Sequence, residues 1–91
     1  MERANRVTVF EAVNRTRRQV FIGATTQPMH ALIAGFRASP PAGTADWRPD
    51  EVEFRSMAFD VDAREAADSI RRYAQAHEGW MVLTDPAGIS R

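Results

Sequence analysis

The chain is expected to fold as a small α+β domain, a two-layer arrangement in the order β-β-α-β-α-β. Three features agree on this. Two strand-like runs near the N-terminus are joined by a short polar link, two later segments carry apolar residues at helical spacing, and each helical segment is followed by a further strand-like run. Helices packed on one face of a small mixed or antiparallel sheet are the economical way to bury those apolar faces.

Each element follows from its residues. Arg6 to Val13 places Val7, Val9, Phe10 and Val13 in a half-buried strand, and Asn14 to Arg18 is a polar turn. Gln19 to Gly23 is a second strand, rich in β-branched and aromatic residues, so the pair reads as an antiparallel hairpin. Thr25-Thr26-Gln27-Pro28 carries a helix-start signal, a threonine near the N-cap with proline in the first turn. Met29, Leu32, Ile33 and Phe36 then share one helical face. Ser39-Pro40-Pro41 stops that helix and opens a loop to about Pro49, whose Trp47 is expected to fold back onto the core. Glu51 to Phe59 alternates charged and apolar residues as a third strand, with a slip of phase near Ser56-Met57. Asp60 or Asp62 is expected to cap a second helix over Ala63 to His77, whose apolar face is Ala63, Ala66, Ala67, Ile70, Tyr73 and Ala74. Gly79 follows the helix end, Trp80 to Thr84 is a fourth strand, and Asp85 onward reads as a frayed tail.

Composition narrows the function classes. The 91 residues make one domain, 1–91, with a core over about 7–84. The absence of cysteine excludes a disulfide framework, a thiol nucleophile and thiolate metal ligation. No apolar run approaches the roughly 20 residues of a membrane span, and the polar N-terminus does not read as a signal peptide, so the expected setting is the cytoplasm. Net charge is zero, which argues against a dedicated nucleic-acid binder, although all 12 basic residues are arginine, whose planar fork suits phosphate.

Thr8-Val9-Phe10 on the first strand and Phe21-Ile22-Gly23 on the second, with Ala24-Thr25-Thr26 continuing into the first helix, resemble a degenerate GIY-YIG nuclease domain. The resemblance covers about Val7 to Tyr73. It implies a GIY-YIG-like sheet in which a signature tyrosine would move a proton, a helix arginine would stabilise the phosphate and a later glutamate would hold a divalent metal. Each role has a chemical requirement: a titratable hydroxyl, a placed cation and a hard oxygen ligand. At the matching positions stand Phe10 and Phe21, which have no hydroxyl, and Ala31, which has no charge; the glutamate position falls on Ala67 or Ile70. His30 and Glu65, with Asp68, are the nearest replacements, and His30 is one residue, about 100°, off the arginine position.

The expectation is therefore an enzyme fold without its enzyme, a catalytically inactive GIY-YIG-like domain acting as a binding or regulatory module, with a protein partner favoured over nucleic acid. Phe10 and Phe21 read first as core aromatics, His30 as a surface residue and His77 as a helix C-terminal charge. The acidic series Asp60, Asp62, Glu65 and Asp68 reads as a helix N-terminus complementing the dipole. Arg15, Arg17 and Arg18 in the hairpin turn, with Arg37, are the candidate phosphate-binding edge. No metal site and no cofactor is expected. A divergent DNA endonuclease using relocated His30, Glu65 and Asp68 is one alternative, and only that reading requires a divalent metal. An unrelated small α/β interaction module is the other.

Overall fold

The computed structural model describes residues 6–90, with side chains through Thr84. Seven elements follow in order: β1 (Arg6–Asn14), β2 (Gln19–Thr25), α1 (Met29–Ala38), the 3-10 turn η1 (Pro49–Glu51), β3 (Val52–Asp62), α2 (Ala63–Ala76) and β4 (Met81–Ser90). The α+β class and the β-β-α-β-α-β order are those the sequence indicates.

The four strands form one sheet in the order β3-β1-β2-β4. β1 pairs antiparallel with both β2 and β3, and β4 pairs parallel with β2. β1 and β2 are thus the interior strands, and nearly every residue in them is buried. Their side chains alternate between two cores. Val7, Val9, Val13, Val20, Ile22 and Ala24 join Ala66 of α2 on one face, while Phe10, Ala12 and Phe21 join Leu32 and Phe36 of α1, and Trp47, on the other.

The two helices therefore cover opposite faces, and the expected two layers are three. Apolar residues on both faces of β1 and β2 have to be covered on both sides, and one helix cannot do that. Three further expectations change. Ala67 is exposed, and Ser69 is buried in its place on the inner stripe of α2. α1 begins at Met29 with Pro28 as its N-cap, so the proline precedes the first turn, and its carbonyl accepts the N–H groups of Ala31 and Leu32. The segment after Asp85 is paired rather than frayed, because β4 resumes against β2 at Ile89 and Ser90. The intervening Asp85-Pro86-Ala87-Gly88 forms an irregularity between Thr84 and Ile89, where a proline without an N–H is tolerated.

Other expectations hold. The slip near Ser56-Met57 is a bulge, since Phe10 pairs with Ser56 while Val9 pairs with Ala58. Asp62 caps α2, its carboxylate accepting the Arg64 N–H at 2.8 Å. Trp47 folds onto the α1-side core and donates its indole N–H to Gln19 at 2.7 Å. Among the described residues, no helix is long and apolar enough to cross a membrane.

Candidate functional site

The hairpin brings Phe10 and Phe21 together. Phe10 lies opposite Gly23 and Ala12 opposite Phe21, so both phenylalanines point to the α1 face on neighbouring strands. Their rings stack with centroids 6.1 Å apart and an interplanar angle of 29°. Phe10 is 0% exposed and Phe21 1%. Phe36 of α1 meets Phe21 edge-on at 5.7 Å and Phe54 of β3 edge-on at 5.2 Å, which seals the pair beneath an aromatic cluster. Gly23 makes the close packing possible, since a Cβ there would sit 3.2 Å from both phenyl rings. The pair is core, with no polar group presented to a ligand.

The other candidate residues do not converge on it. Ala31 is on α1, half-buried, and His30 beside it is exposed. Glu65 and Asp68 are exposed on α2, where Asp68 is bonded to Arg71. α2 packs against the opposite face of the sheet, so His30 cannot share a cleft near Phe21 with Glu65 and Asp68. Ala67 and Ile70 lie on that same far side; Ile70 packs in the α2-side core. Among the described residues, no group of three or more His, Cys, Asp and Glu side chains is arranged to hold a metal ion.

The hairpin arginines are largely held by their own chain. Arg17 bonds the Asp46 carboxylate and its main-chain carbonyl, each at 3.1 Å, and reaches Glu51 at 3.4 Å. The same Glu51 oxygen accepts from the Arg48 main-chain N–H at 3.1 Å and from the buried Asn14 amide at 3.3 Å. Asn14 accepts the Arg17 main-chain N–H in return. These donors, the Arg48 N–H first and then Asn14 and Arg17, hold the Glu51 carboxyl below the usual carboxylate range against the opposing effect of desolvation. Arg15 reaches Glu53 at 3.3 Å, and Arg55 first and Arg15 second depress that carboxyl too. Arg18 takes a left-handed φ of 55° at the turn, and its carbonyl accepts the Met81 N–H. Arg37 lies over the Phe54 ring at 5.9 Å. The basic edge is thus mostly an internal network that ties the turn to η1 and β3.

One polar pair was not singled out from the sequence. Glu11, 2% exposed, lies 2.9 Å from the Nε2 of His77, the C-cap of α2. Trp80 covers the imidazole with ring centroids 5.4 Å apart. The signal was available: Val7, Val9, Glu11 and Val13 share one strand face, so Glu11 occupies a core position. His77 was expected at the helix end for the dipole; its carboxylate partner is the closer reason.

Two surface depressions flank this core. An open polar cleft of about 300 Å³ lies between Arg6, Thr8, Thr25, Thr26, Phe59 and Asp60, crossed by the Arg6–Asp60 ion pair at 3.3 Å. An apolar dent of about 40 Å³ lies beside β3 on the α1 face, between Phe36, Arg37, Trp47, Pro49, Val52 and Phe54. Comparison with protein-family models, with curated proteins and with solved structures finds no match.

Proposed function

We propose that this chain is a catalytically silent GIY-YIG-like domain that works by binding, in the cytoplasm, with a protein as the favoured class of partner. The observation that carries this reading is the phenylalanine pair. Residues at the two signature positions sit side by side across a hairpin, as the resemblance requires, but as sealed core aromatics. A phenyl ring can neither take nor relay a proton. Ala31 supplies no cation, and the residues that would replace the lost groups are divided between the two faces of the sheet. Protein is favoured over nucleic acid because net charge is zero and because Arg15 and Arg17 already answer carboxylates of their own chain.

The test has two arms. Incubation with supercoiled, linear and branched DNA in magnesium or manganese is expected to give no cleavage. Cleavage that disappears on His30→Ala or Glu65→Ala would overturn the reading in favour of a divergent nuclease. Fluorescence anisotropy with labelled DNA and RNA at low salt is expected to show no saturable binding. Saturable binding that falls steeply with salt and is lost on combined Arg18→Ala and Arg37→Ala substitution would make nucleic acid the partner.

A further inference from the structure

β3 is an edge strand. Among the described residues it pairs only with β1, and its other edge presents unpaired main-chain groups. Such an edge is a template for another strand, and proteins usually blunt it. The second half of β3 is blunted, by the bulge at Met57 and by Asp60, which takes a left-handed φ of 53°. The first half is not. From Val52 to Ser56 the register against β1 runs without a break, so this stretch is regular extended strand.

We infer that β3 is a homodimer interface, in which Val52–Ser56 of two copies pair antiparallel about a two-fold axis at Phe54, joining two sheets into one of eight strands. The occupant is chosen by charge. Glu53 and Arg55 flank Phe54 on the α2 face, opposite Val13 and Glu11 of β1. Both are exposed, with side chains 54% and 41% accessible. Pairing about Phe54 puts Glu53 of each copy opposite Arg55 of the other, which makes two cross-strand ion pairs from one sequence. Within one chain the two side chains already attract at 3.5 Å, so they are held on the edge at the right spacing. On the α1 face the same register sets the two Phe54 rings side by side, against the rim of the apolar dent beside Val52 and Trp47. Val52 faces Ser56 of the partner at each end. A chain of zero net charge offers no long-range repulsion to its own copy. The inference stands on β3 alone and is independent of the GIY-YIG reading.

Sedimentation velocity over a concentration series tests it with four proteins: the natural chain, Arg55→Glu, Glu53→Arg and the double exchange. Circular dichroism checks that each is folded. The natural chain is expected to dimerise reversibly. Either single reversal faces like charges twice per dimer and is expected to weaken association roughly tenfold or more. The double exchange restores opposite charges and is expected to restore the dimer. A natural chain that stays monomeric throughout overturns the inference, as do four proteins with equal dimer fractions.

A second measurement reads the register and does not depend on the charge variants. The chain has no cysteine, and directly opposed strand residues lie about 4.5–5.5 Å apart at Cα, within the disulfide range. Ser56→Cys and Val52→Cys proteins mixed under mild oxidation are expected to give a disulfide-linked heterodimer, and Ser56→Cys alone is not. Linkage in the second sample but not the first would place the axis elsewhere and refute the pairing.

Discussion

Phe10 and Gly23 face each other across the hairpin, and the glycine leaves room for the Phe10 and Phe21 rings to close on one another. A methyl group at Gly23 would come within 3.2 Å of Phe10 and Phe21. Both rings are fully buried, Phe10 stacked on Phe21 and Phe21 bounded in turn by Phe36, so neither has open space to swing into. Gly23→Ala is therefore expected to destabilise the protein by about 1–3 kcal/mol, the usual cost of overpacking a filled core. Urea unfolding checks this, and a variant as stable as the natural chain would show that the rings have slack. The same rings explain what could be read at this scale. Their identity, and so the absence of a hydroxyl at these two positions, is plain in the sequence. Their sealing under Phe36 and Phe54 is not, because contacts between residues distant in the chain have no local pattern.

At the scale of elements, the turn between β1 and β2 is fastened to η1 by polar contacts. Glu51 collects the Arg48 N–H, the Asn14 amide and Arg17, while Arg17 reaches across to Asp46. The Glu51 carboxyl titrates below its usual range in the folded state. Its contribution to stability is thus fully present above the ordinary carboxylate range and is lost as pH falls through the depressed one. Glu51→Gln is expected to lower the midpoint of thermal unfolding at neutral pH, with the gap to the natural chain closing as the solution is acidified through that range. Melting curves from pH 7 to pH 3 check the sign, and a gap that widens toward acid would contradict it. The elements themselves were legible because each has its own period: two for the strands, 3.6 for the helices. The network was not. Arg15, Arg17 and Arg18 read as a basic cluster available to phosphate, and only the fold brings Glu53 to Arg15 and Asp46 and Glu51 to Arg17.

For the whole molecule, the consequential difference between pattern and structure is the number of layers. Periodicity shows which side of a helix is apolar but not which face of the sheet that side will cover. The clue lay in β1 and β2, where apolar residues on both alternations demand a helix on each face. Placing α2 beyond the sheet separates it from the phenylalanine pair and leaves Glu11, on the central strand, facing His77 at the end of α2. That contact is the polar tie between the innermost strand and the outer layer. Glu11 is 2% exposed and its partner side chain 19%, so removing the imidazole leaves the buried Glu11 side chain without its hydrogen-bond partner and with little water to replace it. His77→Ala is expected to cost about 1–3 kcal/mol, the usual penalty for leaving a buried polar group without its hydrogen-bond partner. Glu11→Leu with His77→Ala removes both polar groups and fills the strand position with an apolar side chain continuous with Val9 and Val13, so the double variant is expected to regain most of that loss. A double-mutant cycle by chemical denaturation reads the coupling directly. Additive losses would mean that the 2.9 Å contact contributes nothing to holding α2 against the sheet.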